Sequence, residues 1–281
     1  MKKVVVLGGL GMAGHVLVEQ LKQEGKFEIH AVARNKGRSI TQLLDISDFN
    51  ALEEYLEKIT PDYVVNCVGV LVKGSDDDIC NSIALNSYLP NFLAKIGTQL
   101  KYKLIHISTD CVFSGNDGEY TESSYRDGDT NYARTKTLGE VINNKDLTIR
   151  TSIIGPELKT NGTGLMHWFL NQTDTVNGYS NAFWSGVTTI ELGKYILEIL
   201  ESDITGLVHL CPKRKISKLD LLKEIDVIFN KNIGVNAYDD YHCDKSLIST
   251  RTDQKFTPLN YHDMIVEAKK WIDQTSFYQY S

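Results

Sequence analysis

The residues whose types and spacing could do chemistry fall into three groups. The first is Ser108-Thr109-Asp110-Cys111, at the polar end of the apolar run KLIHISTDCVF. The second is Tyr132 and Lys136, four apart in NYARTKTLGE. The third is Gly8, Gly11 and Gly14, close to the N-terminus. On a helix, a spacing of four puts Tyr132 and Lys136 on one face. A tyrosine hydroxyl has a reference pKa of about 10, and a nearby ammonium favours the phenolate and draws that value toward neutrality. Such a pair can pass a proton to or from oxygen. Cys111 has the chemistry of a nucleophile, a base or a metal ligand, or it is a small packing residue.

The elements that position these groups come next. KVVVL (3–7) is a β-branched run, and MAGHVLVEQLKQ (12–23) has apolar residues at helical spacing before Gly25. The glycines fall between strand and helix, where they permit a tight turn and a close approach of backbone to a pyrophosphate. The helix opening at Met12 then offers free N–H groups to the negative charge. FEIHAVA (27–33) is the second strand, and it runs into Arg34-Asn35-Lys36-Gly37-Arg38 without an acid. An acid there grips the ribose hydroxyls of NAD, whereas Arg34 suits a 2′-phosphate, so NADP is favoured over NAD. Asp45-Ile46 supplies an acceptor for an adenine amino group and an apolar wall for its ring.

Helix and strand go on alternating: DFNALEEYLEKI (48–59) with Asp48 as N-cap, DYVVNCV, a helix over 80–97, a strand over 102–108, a helix around 130–143 and LTIRTSII (147–154). This pattern predicts an α/β fold, a Rossmann-type doubly wound parallel sheet with ligands at the carboxyl ends of its strands. After Gly155-Pro156 the pattern loosens into a small C-terminal α/β lobe. The expected division is 1–155 for dinucleotide binding, with 180–203 returning to it, and 156–179 with 204–281 for substrate.

Composition narrows the class. In 281 residues, 36 acidic side chains face 30 basic ones and no Lys/Arg block stands out, which disfavours nucleic acid as a partner. The five cysteines are scattered and never form C-x-x-C, and no H-x-x-x-H pair occurs among the seven histidines. Neither a disulfide framework nor a metal site is expected, and a reducing cytoplasm fits best. The glycines interrupt the apolar start, and no run approaches a membrane span.

Taken in order, GGLGMAG, LLDISD, NCVGV, STDCVFSG and DTNYARTKTLGE resemble the extended short-chain dehydrogenase/reductases, within them the dTDP-4-dehydrorhamnose reductase-like branch. The resemblance continues more weakly through IRTSIIG, SGVTTIELG and ISKLDLL. It implies a reactive trio of Thr109, Tyr132 and Lys136. It also implies NADPH as reductant and the 4-keto group of a nucleotide-linked 4-keto-6-deoxy sugar as substrate, in surface polysaccharide precursor synthesis. Tyr132 would donate the proton, Thr109 would bond the same oxygen, and Lys136 would tune the tyrosine and hold the cofactor ribose. Asn66, Cys67, Val68 and Gly69 would line the dinucleotide. Trp168 and Trp184 are candidates to wall the sugar or stack on its base. A homodimer is left open.

Two relatives within the superfamily supply rivals. Sugar-nucleotide dehydratases carry Thr-Asp-Glu where this chain has Thr109-Asp110-Cys111, so dehydration is disfavoured. GDP-fucose synthases place a cysteine base two residues after the reactive serine, as Cys111 stands after Thr109, with a histidine acid for which His167 is the candidate. That makes a bifunctional C3/C5 epimerase-reductase the alternative, although burial as an inert thiol is the commoner fate of a free cysteine. A further alternative is a non-catalytic NADP-binding regulatory subunit.

Overall fold

Residues Lys2–Leu7 form β1, and Val4, Val5, Val6 and Leu7 have no exposed surface because the strand is covered on both faces. The computed structural model describes residues 1–280. A glycine turn leads into α1 (Met12–Glu24), which ends at Gly25, whose N–H returns to the Leu21 carbonyl. β2 (Phe27–Ala33) and β3 (Gln42–Leu43) follow. α2 (Phe49–Ile59) starts where the Asp48 carboxylate accepts the Ala51 N–H at 3.0 Å. After β4 (Tyr63–Asn66) come α3 (Val72–Asp77), α4 (Ile79–Ser82) and α5 (Leu89–Leu100). The single helix expected over 80–97 is instead interrupted by a π-helical segment, Ile83–Tyr88. That irregularity presents Asn86 and Ser87 to α6 (Asn131–Leu138), which follows β5 (Lys103–Thr109). Asn86 Nδ2 donates to Thr135 Oγ1 at 3.2 Å and Ser87 Oγ to the Thr135 carbonyl at 2.7 Å.

β6 (Leu147–Thr151) and β7 (Ile153–Ile154) complete the first half of the chain. The second half contains α7 (Leu165–Leu170), β8 (Val176–Tyr179), β9 (Ala182–Trp184), β10 (Val187–Thr188) and α8 (Thr189–Ile199). It ends with β11 (Gly206–His209), β12 (Ile216–Ser217), α9 (Lys218–Phe229), β13 (Val235–Tyr238), β14 (Cys243–Asp244) and α10 (Tyr261–Gln274).

The main sheet runs β11-β6-β5-β4-β1-β2-β3 and its pairings are parallel. Strand order reverses between β1 and β4, which creates a crevice at their carboxyl ends. One face packs Val4, Val6 and Val65 against Leu17 and Leu21 of α1 and Leu192 and Ile196 of α8. The other packs Val5, Leu7 and Val64 against Leu52, Leu56, Leu89 and Leu93. Each fully buried leucine contributes about 1.5–3 kcal/mol. β11, which the sequence reading assigned to the substrate lobe, is the edge strand of this sheet, because GLVH pairs in parallel register with LTIR of β6. A third apolar cluster joins Phe169, Leu170, Trp184, Leu221, Leu222 and Ile265, outside the main sheet.

Candidate functional site

At the crevice, loops after β1, β2 and β4 close on one another. The Gly8 and Gly9 N–H groups donate to the Val32 carbonyl, and the Cys67 N–H donates to the Leu7 carbonyl at 3.1 Å. Gly8 has φ of +82°, a conformation that side chains with a Cβ rarely adopt. A Cβ on Gly14 would fall 2.2 Å from the Gly8 carbonyl oxygen, so α1 can sit this close to the loop only with glycine there. Asn66 is wholly buried, and its Oδ1 accepts the Val68 N–H at 3.1 Å, which fixes the loop Cys67-Val68-Gly69.

These loops surround a cavity of about 420 Å³, lined among others by Gly8, Gly11, Arg34, Asp45, Ile46, Cys67, Val68 and Gly69. Met12 stands at the start of α1, where Gly11 is the N-cap and supplies no side-chain acceptor, so the first helical N–H groups are free for an anion. Among the described residues Arg34 forms no hydrogen bond or ion pair. Ser47, through its backbone N–H and its hydroxyl, holds the Asp45 carboxyl below its ordinary range, and Arg34 adds to this. A free cation, an ionised acceptor and an uncapped helix end around one cavity fit a phosphorylated dinucleotide. Lys159, which sequence reasoning did not single out, lines the same cavity.

One strand along, the end of β5 meets α6. Thr130 Oγ1 caps α6 by accepting the Ala133 N–H at 3.1 Å, and Thr109, Tyr132 and Lys136 are all buried. Thr109 Oγ1 donates to Asp110 Oδ1 at 3.1 Å and accepts the Cys111 N–H at 3.1 Å. The expected lowering of the tyrosine by its lysine is not found. Burial, with Cys111 and Asp110, pushes the Tyr132 phenol above its ordinary value, and only the Thr109 hydroxyl opposes this. The Lys136 ammonium instead donates to the Ile107 carbonyl at 2.8 Å, and burial lowers it to about 8 against the pull of Glu140. Burial therefore favours the protonated phenol, and the lysine ties α6 to β5.

Burial and the Asp110 carboxylate push the Cys111 thiol up to about 12, with Lys245 and Thr109 opposing. Both His167 ring nitrogens are engaged, Nδ1 with the Tyr280 hydroxyl at 2.9 Å and Nε2 with the Thr160 carbonyl at 3.2 Å. Trp184 is only 2% exposed, so the expected sugar wall is instead a core residue carrying Lys218 Nζ 5.2 Å above its ring. Trp168 is exposed and lies against Phe169. The site also holds two lysines that sequence reasoning did not single out, Lys218 within ISKLDLL and Lys245. Lys218 and Lys245 are electrostatic neighbours of Asp110: its burial raises the carboxyl and both lysines pull it down.

Comparison with known proteins places these features in a family. The chain is 26% identical over 233 residues to the probable low-salt glycan biosynthesis reductase Agl14 of Haloferax volcanii, covering 78% of each protein. A crystal structure of a hypothetical dTDP-4-dehydrorhamnose reductase from Sulfolobus tokodaii superposes with a TM-score of 0.77 at 25% identity, covering 100% of this chain and 98% of that one. The Bacillus anthracis dTDP-4-dehydrorhamnose reductase in complex with NADP has the same fold, with a TM-score of 0.84 at 18% identity, covering 98% of this chain and all of that one. The model of the RmlD substrate binding domain matches residues 1–240, and the chain belongs to that family, in the dTDP-4-dehydrorhamnose reductase-like branch of the extended short-chain dehydrogenase/reductases.

Proposed function

We propose that this chain is an NADPH-dependent oxidoreductase that reduces the 4-keto group of a nucleotide-linked 4-keto-6-deoxy sugar in surface polysaccharide precursor synthesis. The observation that carries the reading is the meeting of buried Thr109, Tyr132 and Lys136 where β5 ends, next to the strand whose loop lines the glycine-walled cavity. Gly8, Gly11 and the N–H groups from Met12 onward would hold the pyrophosphate of NADP, and Gly14 lets α1 approach it. Arg34 would take the 2′-phosphate. Asp45 and Ile46 would take the adenine, and Cys67, Val68 and Gly69 would flank the dinucleotide. When bound, the cofactor supplies the hydride for the ketone carbon.

The chain's own residues handle the oxygen. Tyr132, kept protonated by its burial, donates its proton as the ketone becomes an alkoxide, and Thr109 donates a hydrogen bond to the same oxygen. Lys136, through its bond to the Ile107 carbonyl, ties α6 and Tyr132 to β5, and it would hydrogen-bond the cofactor ribose. The substrate lobe would comprise 156–179 and the segments after β11. The epimerase-reductase alternative has less support, since a thiol raised to about 12 is a poor base near neutrality.

The test is incubation with NADPH and 4-keto-6-deoxy sugars on dTDP, UDP and GDP in heavy water. NADPH oxidation with a product lacking deuterium at C3 and C5 supports the ketoreductase. Deuterium there that disappears in Cys111→Ser supports the epimerase. Tight NADPH binding with no oxidation across the panel supports a regulatory subunit.

A further inference from the structure

The segment after α10 carries Phe277, Tyr278 and Tyr280, half-buried aromatic residues that take no part in the proposed chemistry. Each meets a stretch of chain that walls the glycine-lined cavity. The Arg38 guanidinium, in the loop of Arg34, lies 4.0 Å from the centre of the Phe277 ring. The Tyr278 hydroxyl is 2.7 Å from His15 Nε2, and His15 Nδ1 is 2.7 Å from the Gly11 carbonyl. The Tyr280 hydroxyl accepts the Glu157 N–H at 3.0 Å and lies 2.9 Å from His167 Nδ1.

Hydrogen-bond chemistry fixes the direction of both contacts. A carbonyl oxygen only accepts, so His15 carries its proton on Nδ1 and donates it to Gly11. Burial disfavours the charged ring, which leaves His15 Nε2 an acceptor. Tyr278 therefore donates to it, while the Tyr278 oxygen accepts the Trp271 Nε1–H at 3.0 Å. The second chain repeats the first. His167 Nε2 donates to the Thr160 carbonyl at 3.2 Å, so its Nδ1 accepts from Tyr280. Each tyrosine thus takes one N–H and donates to one histidine, and each histidine passes the bond on to a backbone carbonyl.

Those two carbonyls sit where an anion would be held. Gly11 is the N-cap of α1. Thr160 belongs to the segment 157–164, which leads from β7 to α7. A Cβ on Gly164 would lie 3.0 Å from Met12 Cε, so this segment abuts the first residue of α1. Its one acid, Glu157, accepts the Gly164 N–H at 2.6 Å. Its one cation, Lys159, lines the cavity and makes no hydrogen bond or ion pair among the described residues.

We propose that the segment after α10 is a strap that sets the cofactor site: Tyr278, through His15, fixes the Gly11 turn, and Tyr280, with His167, holds 157–164 so that Lys159 reaches the phosphates of the cofactor. The inference rests on the reading of the cavity as an NADP site. Tyr278, Tyr280, His15 and His167 act here as positioning residues. Loops held in place beforehand need not be ordered by the ligand, so the strap contributes to affinity. By reciprocity, bound cofactor stabilises the docked strap.

The test is calorimetric titration of NADP into the full chain, beside Tyr278→Phe, Tyr280→Phe, Lys159→Met and the double variant Tyr280→Phe/Lys159→Met. Phenylalanine keeps the ring packing and removes only the hydroxyl. Each single variant should bind NADP about fivefold or more weakly. The double variant should lose no more than about twofold beyond Lys159→Met, because Tyr280 acts through the lysine. In wild type, saturating NADP should slow chymotryptic cleavage after Phe277 and Tyr278 about fivefold or more, a readout that needs no variant. Affinity within about twofold of wild type in both tyrosine variants overturns the proposal. Cleavage at an unchanged rate with NADP bound overturns it too, as do losses that multiply in the double variant. A wild type that binds no nicotinamide dinucleotide contradicts the reading of the cavity itself. Tight NADP binding that the tyrosine variants leave unchanged contradicts the strap alone.

Discussion

Ser108 Oγ donates to Glu140 Oε1 at 2.7 Å, tying the residue before Thr109 to the residue that follows the Gly139 cap of α6. Glu140 also accepts from Arg150 Nε at 2.9 Å and Nη2 at 2.7 Å, and from Arg126 Nη1 at 3.0 Å. The end of β5, the end of α6 and the neighbouring β6 are thus joined through one buried carboxylate. Burial alone would raise that carboxyl, but Arg150, Ser108 and Arg126 hold it below its ordinary value. Replacing it by Glu140→Gln leaves Arg150 buried without its counter-charge, which costs about 3–5 kcal/mol of stability. A depressed carboxyl stabilises above its unfolded pKa and loses that effect as pH falls through its folded one. Urea unfolding should therefore show a large gap between wild type and variant at pH 7 that narrows in acid; a gap independent of pH would contradict the charged network.

Lys136 gives a prediction in the alkaline direction. Its folded pKa of about 8 lies below the ordinary 10.5, so between these values the unfolded chain still binds a proton that the folded chain has released. Stability from this group rises with pH across that window. Thermal unfolding of wild type and Lys136→Met, without cofactor, should diverge in favour of wild type from pH 8 upward. Parallel curves would mean that the ammonium is not held in a desolvated site.

Cys111 can be examined by alkylation. With its thiol pushed up to about 12, Cys111 should react slowly with iodoacetamide at pH 8, while exposed Cys80 reacts first. Mass spectrometry of timed samples reads the order. Rapid labelling of Cys111 would return the epimerase alternative to contention.

Arg34 lines the cavity near Asp45 and has no hydrogen-bond or ion-pair partner among the described residues. Arg34→Ala should weaken NADPH binding about tenfold or more while leaving NADH nearly unchanged. Equal losses for the two cofactors, measured by fluorescence titration, would remove the 2′-phosphate contact.

Much of this site was legible because local patterns carry it. The glycine run between strand and helix, Asp48 as a cap, and Tyr132 and Lys136 on one helix each depend on residues only a few positions apart. What was not legible depends on distant pairings. Lys218 and Lys245 reach the end of β5 only because β12 and β14 pair with β9, and no spacing in the chain announces it. GLVH reads as a strand, but its place at the edge of the main sheet is decided by its pairing with β6. The acceptor that Lys136 reaches was hidden for the same reason: a helical spacing of four places the lysine near Tyr132, while the Ile107 carbonyl comes from another element.

The most direct measurement is the rate of NADPH oxidation by wild type and Tyr132→Phe with saturating 4-keto-6-deoxy sugar nucleotide. The predicted result is one NADPH consumed per ketone reduced by wild type, and a fall of about a hundredfold or more in kcat for the variant with NADPH affinity retained. A Tyr132→Phe variant that keeps the full rate, or a wild type that binds NADPH and oxidises none of it with any such sugar, would contradict the assignment.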